Sequence, residues 1–509
     1  MKTTKITIVQ ISIFLSFLSG FLSLSLEVIW IRLFSFSLLS LPQAFSLALS
    51  FFLLGIAIGS LIGKGMCNRG KATISNIGYI FFISALFDCF IIFLLSAFII
   101  PFPFSTTLFS LFIFIIATLR GIIFPMVHHL GSENKKSGAA ISNVYFANVF
   151  GCTIAPIFIG FYLLNIISTQ QTYLTIIILT FLTAFFCIKK PHIKIAIFSL
   201  ILLIVPITLL LPEKIILHLS NKPDFSIKKI IENKHGIIQI YQDNENNKVV
   251  YGGNVYDGML NIDLLKNSNA IDRAYLLPVI APKAKNVLVI GLSTGSWARI
   301  LTSMPTLESI TIVELNPSYV DLASFYPEMA AVLQDKRINI ITDDGRRWLN
   351  RNPGKKFDFI LMNTTFHWRN YVSNLLSKEF LTLSKSHLND NGFIYFNTTG
   401  SYDAYYTSQS VFPYVYQYKN MSLASLQPIL QPREKDIYTV FSKLKWQNNK
   451  NIFDSDEILN AAVNKQLESP ITPYRQIDFS HLKREPEIIT DKNMITEYKY
   501  GLLFSKDEK

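Results

Sequence analysis

The chain has 509 residues, 50% of them hydrophobic and 13% aromatic, with 41 Phe and a formal net charge of +12. Apolar residues crowd into positions 1–212 and charge collects after them, which excludes one large soluble fold in favour of two regions. Lys and Arg are scattered singly or in pairs through the second region with no longer basic run or recognisable nucleic-acid motif, so the basicity reads as a membrane-surface bias and no nucleic-acid partner is expected.

A bilayer span needs about 20 apolar residues. Candidate spans fall at 7–29, 42–63, 76–100, 107–127, 138–164, 171–188 and 194–212, about seven in all, so residues 1–212 are predicted to be a multi-span helical bundle. The first is too long, and too free of a small-residue cleavage site, to be only a signal peptide. Gly55, Gly59 and Gly63 share one helix face, and Asn148, Gly151, Pro156 and Gly160 do the same in the fifth span, giving close-packing surfaces. Cys67, Cys89, Cys152 and Cys187 all lie in this half without metal-ligand spacing and read as core-filling residues. Three ionisable residues stand out: Glu27, Asp88 and Arg120. They mark either a polar pathway or headgroup site, or two span ends (Glu27, Arg120) and one interhelical bond (Asp88).

Basic residues gather in alternate loops, at Lys64, Arg69 and Lys71, then Lys135 and Lys136, then Lys189, Lys190 and Lys194, with Lys2 and Lys5 on the same side. The positive-inside rule puts that side in the cytoplasm of a bacterial-type inner (plasma) membrane. Seven spans would then leave residues 213–509 outside, so either one span is miscounted or re-entrant, or the soluble domain works across the membrane.

Residues 213–285 carry alternating strand-like stretches at 236–241 and 248–251, a small β-rich part. Residues 286–445 then change grammar. An apolar strand, Asn286–Ile290, enters the turn Gly291-Leu292-Ser293-Thr294-Gly295 and then a helix. A second strand at 310–313 ends on Glu314, and a helix follows over 318–333. A strand at 338–341 runs into Asp343-Asp344-Gly345, with a helix from Arg346. Strand Phe357–Met362 ends on Asn363, and a strand at 392–397 ends on Thr398-Thr399-Gly400. Strands alternating with helices, with polar residues at the strands' carboxyl ends, predict a doubly wound α/β domain of the Rossmann-like, S-adenosylmethionine-methyltransferase type. Residues 446–509 read as a tail packing on it. The glycines let backbone approach a nucleoside, and an acid ending the next strand can grip ribose hydroxyls.

The order of the glycine turn, VELNP, ITDDG, FDFILMN, LSKEFL and HLNDNGFIYFN resembles the spermidine synthase (aminopropyltransferase) family over 236–400. With the hydrophobic half and the tail motif ITDKNMITEYKYG at 489–501, the chain is similar to the membrane-fused members. The resemblance implies a pocket for decarboxylated S-adenosylmethionine or methylthioadenosine, with no metal. Gly291, Ser293 and Gly295 would line it, with Gly291 and Gly295 matching the outer glycines of the family's GGGDG turn. Glu314 would take the ribose hydroxyls, and Asp344 and Gly345, next to Asp343, would meet the adenine amino group. Asp344 can equally cap the helix that begins beside it. Tyr256, Asp257, Asn261 and Tyr275 fall in the region that supplies substrate contacts in the family, with Asp257-Gly258 matching its Asp-Gly.

Three positions depart from the family. Thr294 stands where its turn carries an Asp, Asn363 where it has the strand-end catalytic Asp, and Phe366 where it has the second acid of DxxDP. Asn neither accepts a proton at neutral pH nor pairs with an ammonium as a charge. The replacement run is Asn363-Thr364-Thr365-Phe366-His367-Trp368-Arg369-Asn370. In it His367 is a candidate general base, Arg369 a clamp for a carboxylate or phosphate, and Trp368 a ring to stack on adenine or cover the site. The other reading is a loop whose aromatics pack locally. Three functions follow: a membrane-bound aminopropyl-type transferase acting on a small-molecule or lipid-linked amine other than putrescine; a methyltransferase in which Arg369 holds the methionine carboxylate; or a non-catalytic nucleoside or polyamine sensor that regulates a transporter. A homodimer is compatible with each.

Overall fold

The computed structural model describes residues 7–99, 104–132, 138–210, 214–220, 222–363 and 365–502. Lys2, Lys5, Lys135, Lys136 and Thr364 lie outside the described residues. The chain divides into two compact units, one of Met1–Pro223 with Glu232–Ile237, the other of Asp224–Ile231 with Ile238–Lys509.

The first unit contains helices α1 (Ile8–Ser37), α2 (Gln43–Asn68), α3 (Ile74–Ala97), α4 (Phe104–Gly131), α5 (Gly138–Pro156), α6 (Thr169–Cys187) and α7 (Pro191–Leu210). Thr7, Thr73 and Ser168 start α1, α3 and α6 by accepting the third backbone N–H of each helix. Beyond Pro156, α5 runs on through a π-helical stretch, Ile157–Tyr162, and a 3-10 turn, Leu163–Asn165. Among the described residues, six helices are long and apolar enough to cross a membrane, and Pro191–Ile204 is a shorter apolar helix. The seventh expected span, 194–212, falls on α7, which runs up to residues outside the described set, so the count of six is of the described residues alone.

Glycine sets how α2 meets α4. A Cβ at Gly59 would fall 2.1 Å from the Thr118 carbonyl oxygen, and one at Gly121 would fall 2.6 Å from that of Ile56, so the two backbones touch where no side chain intervenes. Large apolar side chains such as Leu61, Phe146 and Phe186 point outward from the bundle.

Arg120 lies in the interior of α4 and is buried, which corrects the expectation that it sits at a span end. Its Nη2 donates to Asp88 Oδ2 at 3.3 Å and to Thr180 Oγ1 at 3.0 Å, while Tyr173 donates its hydroxyl to Asp88 Oδ1 at 3.2 Å. The two charges therefore neutralise each other across α3, α4 and α6. Glu27 is also inside its helix, because α1 continues to Ser37. Arg120→Ala should destabilise this unit by about 3–5 kcal/mol, since it strands a buried carboxylate. The double variant Asp88→Ala/Arg120→Ala should recover much of the loss. Thermal unfolding of the detergent-solubilised chain measures these and the Asp88→Ala single variant, and a double variant that loses the sum of the two single losses would show that the pair carries no coupling.

The second unit holds two sheets, except that residues 232–237, where the first strand of the smaller sheet ends and its second begins, fall in the first unit. Strands β1 (Ser226–Asn233), β2 (Gly236–Gln242), β3 (Lys248–Gly252) and β4 (Val255–Met259) lie in sequence order, with β2–β3 and β3–β4 antiparallel. The larger sheet uses β5 (Asn286–Ile290), β6 (Ser309–Glu314), β7 (Ile338–Thr342), β8 (Phe357–Met362), β9 (Leu388–Asn397), β10 (Tyr414–Tyr418), β11 (Met421–Ser425) and β12 (Thr472–Pro473). Its order is β12-β10-β11-β9-β8-β5-β6-β7, parallel from β9 to β7 and antiparallel among β9, β11, β10 and β12. Strands β5, β6 and β8 are almost wholly buried, as helices on both faces of a parallel sheet require. Sequential winding goes outward from β5 through β6 to β7 and restarts on its other side at β8. The crevice outside the carboxyl ends of β5 and β8 is thus the switch point where this architecture binds ligands.

Two expected boundaries moved. The helix predicted over 318–333 is two, Ser318–Ser324 and Pro327–Gln334. Pro327 disfavours helical geometry at Tyr326, which is extended at φ −117° and ψ 117°. Strand β9 begins at Leu388, ahead of the predicted 392.

Candidate functional site

The site is built where β5 turns. Gly291 and Gly295 adopt φ of 87° and 80°, and Ser293 between them sits at 49°, so the chain reverses within five residues through left-handed geometry. Glu314, at the end of β6, holds that turn. Its Oε2 accepts the Leu292 N–H at 2.7 Å and its Oε1 the Asn316 N–H at 2.8 Å. The residue is only 5% exposed, and burial pushes its carboxyl up to about 7 against the pull of those amides, with Asp257 adding repulsion. The Ser293 backbone N–H adds a third hydrogen bond to this carboxylate, which has about four acceptor positions in all.

Asp344 is the N-cap of helix Gly345–Arg351, its carboxylate accepting the Arg347 N–H at 2.7 Å. Asp343 pairs with Arg347 and, at 3.7 Å, with Arg351; these hydrogen bonds and charges hold its carboxyl below the usual range. Gly345 is required by packing, because a Cβ there would fall 2.6 Å from Ile290 Cγ2 at the end of β5.

Asp257 on β4 joins this cluster. Ser293 Oγ donates to its carbonyl oxygen at 2.9 Å, and Tyr319 hydrogen-bonds its carboxylate. Burial raises the Asp257 carboxyl, while Tyr319 and the charge of Arg369 oppose the rise. Burial lowers Arg369 in turn, with Asp257 as the main opposing charge, and Arg369 Nη1 donates to Thr365 Oγ1 at 2.7 Å. Asp257, Ser293, Glu314, Tyr319 and Arg369 are therefore electrostatically one site. Tyr319 was missed in the sequence because it lies in a helix, yet it falls in the short NPSY segment directly after Glu314, which was the available signal.

The replacement run does not hang in solvent. Asn363 accepts from Asn397 Nδ2 at 3.1 Å, and it lines a small cavity with Asn269, Gly291, Ser293, Thr294 and Trp297. His367 is buried, its backbone N–H and Nδ1 both within reach of Thr399 Oγ1 at 2.8 and 3.1 Å. Trp368 stacks on Phe366 at 5.3 Å and 22° between planes, so one of the expected aromatics packs locally.

The expected substrate contacts separate. Tyr256 donates to Asn269 Oδ1 at 2.8 Å beside the same cavity, and burial pushes its hydroxyl up to about 12. Asn261 is spent on its own loop, donating to the Asp263 and Ser268 carbonyls. Tyr275 is corrected to a core residue. Its hydroxyl donates to the Ile262 carbonyl at 2.7 Å and its ring packs against Phe441 and Phe453, because the helix Asp272–Ile280 that carries it is buried almost throughout.

Residues 276–423 match the spermine/spermidine synthase domain. Polyamine aminopropyltransferases are similar to parts of the chain: that of Agathobacter rectalis is 34% identical over 116 residues, 23% of this chain and 40% of the relative. That of Corynebacterium efficiens is 29% identical over 141 residues, 27% of each. One from Clostridium botulinum is 32% identical over 126 residues, 25% of this chain and 44% of the relative. The chain thus spans less than half the length of these curated relatives. Spermidine synthase from Thermotoga maritima superposes with a TM-score of 0.36 at 18% identity, over 48% of this chain and 87% of that one. A spermidine synthase in complex with the transition-state analogue AdoDATO gives 0.35 at 17%, over the same shares. The segment that bears the glycine turn, Glu314, Asp344 and the 363–370 run is therefore the part of this chain that resembles the spermine/spermidine synthase domain.

Proposed function

We propose that this protein is a membrane-bound transferase of the aminopropyltransferase type, using a 5′-thioadenosine co-substrate of the decarboxylated S-adenosylmethionine class. The observation that carries the reading is Glu314, a buried carboxylate fixed by the glycine turn at the switch point of the sheet. In such a transfer the acceptor nitrogen attacks the methylene next to the sulfonium. The C–S bond breaks with its electron pair going to sulfur, methylthioadenosine leaves, and the nitrogen loses a proton to a base. His367, in the loop after β8, is the base assigned to that role.

The acceptor differs from a simple diamine. Three family acids are replaced by Thr294, Asn363 and Phe366, and the acid retained at Asp257 faces the Arg369 cation. A wall of that charge suits an amine that carries its own anionic group, soluble or lipid-linked. If the six long apolar helices counted among the described residues are the crossings, an even number returns the chain to the side of its amino terminus, where cytosolic nucleosides are available.

Arg369 also supports methyl transfer, since S-adenosylmethionine keeps the carboxylate that the decarboxylated donor lacks. Calorimetry of the full chain with methylthioadenosine, S-adenosylmethionine and its decarboxylated form separates the two. The aminopropyl reading expects the decarboxylated donor to bind at least as tightly as the parent compound. A tenfold preference for the parent, about 1.4 kcal/mol, would transfer the assignment to methylation, and no binding of any of the three would end both.

A further inference from the structure

The tail motif ITDKNMITEYKYG is not consumed by the site described above, yet it grips both sides of the crevice. It begins by pairing backbone to backbone, the Lys378 N–H donating to the Ile489 carbonyl at 2.8 Å, while the Ile489 N–H donates to Thr407 Oγ1 at 2.9 Å. Asp491 then takes Arg346, Nη1 to Oδ1 at 2.7 Å, and Ser377 Oγ at 2.7 Å. Arg346 belongs to the helix that Asp344 caps, so this contact is on the nucleoside side.

Six residues later Glu497 takes the other side. It is wholly buried, and its two carboxylate oxygens accept the backbone N–H groups of Tyr371 at 3.0 Å and Ser373 at 2.8 Å. Thr496 Oγ1 meets Ser373 Oγ at 3.1 Å beside it. Tyr371 closes the loop that carries His367 and Arg369, and its φ of 69° is a left-handed conformation that a non-glycine residue holds only when its surroundings impose it. The motif's last residue fits the same purpose, since a Cβ at Gly501 would fall 2.3 Å from the Glu497 carbonyl oxygen.

We propose that residues 489–501 are a strap and that Glu497 is its positioning residue, fixing the loop at 365–373 so that Arg369 and His367 stand opposite Glu314. The significance of that placement rests on the reading of the loop as the acceptor wall. The strap itself does not.

Hydrogen–deuterium exchange on the full chain in detergent tests it without any substrate. In Glu497→Ala, peptides covering 365–376 should exchange about tenfold faster or more, because two amides lose a charged acceptor, while β5 to β9 keep their protection. Glu497→Gln, which retains one acceptor oxygen, should lie between Ala and wild type, and it serves if the Ala variant fails to fold. Methylthioadenosine affinity should stay within about threefold in both, because the nucleoside side is held by Asp491. Unchanged exchange at 365–376, or protection lost evenly across the sheet, would overturn the strap. Failure of the wild type to bind methylthioadenosine would instead overturn the nucleoside reading and leave the exchange result standing.

Discussion

Glu314→Ala should weaken methylthioadenosine binding by about 1–3 kcal/mol, roughly 5- to 150-fold, the range for hydrogen bonds lost from a charged acceptor. Since Glu314 also anchors Leu292 and Asn316, truncation loosens the turn as well, and Glu314→Gln, which keeps one acceptor oxygen for the turn, is the milder variant. Its amide fills the same space but cannot accept two hydroxyls as a charge. Protonation gives an independent check. Burial raises this carboxyl from 4.5 to about 7. A carboxyl raised on folding favours the fold most when protonated, so its contribution to stability falls as pH climbs from 4.5 towards 7 and is fully unfavourable above that. Ribose hydroxyls donate to the ionised form, so binding reverses the shift. Affinity should therefore rise by up to about tenfold per pH unit below 7 and level off above it, with proton release on binding in the sloping range. Glu314→Gln should flatten the profile. A wild-type affinity independent of pH between about 5.5 and 8 would remove Glu314 from the ribose.

Much of this site was legible from residues because parallel strands announce themselves. The run at Asn286–Ile290 has no alternation and ends on glycine, and the strand before Glu314 repeats that form, so the edge on which ligand groups collect could be read directly. Asp344 illustrates an ambiguity that sequence carries faithfully: the cap was one of its two readings, and the structure shows the cap. What stayed hidden is long-range pairing. Asp257 and Arg369 are over a hundred residues apart and neither position hints at the other, just as Asp88 and Arg120 looked like separate oddities on different spans. Tyr275 misled because a tyrosine near a site and a tyrosine in a core have the same letters; burial of the whole helix decides between them. The strap was visible as a motif but mute as to its partners, since backbone N–H groups such as those of Tyr371 and Ser373 leave no mark in sequence.

Putrescine should be a very poor acceptor, turning over at least about 10²–10⁴-fold below the 1–10³ per second of ordinary enzymes. A diamine arrives as a dication and must be both neutralised by the walls and deprotonated at the attacking nitrogen. At the carboxyl end of β8, Asn363 offers an amide oxygen already used by Asn397 Nδ2, and Thr294 turns its hydroxyl to Ser296 rather than to the cavity. Phe366 is stacked under Trp368, and Asp257, the remaining acid, has Arg369 as its counter-charge. A second cation would have to displace a buried guanidinium, at the cost of leaving that group unpaired. Adding an acid alone should therefore do little: Asn363→Asp should leave putrescine turnover low, whereas Asn363→Asp combined with Arg369→Ala should raise it by restoring net negative charge. Mass spectrometry of products from putrescine and the decarboxylated donor measures all three forms. Ordinary turnover by the wild type would show that the missing acids are not what selects the acceptor, and an equal gain from Asn363→Asp alone would show that Arg369 does not guard Asp257.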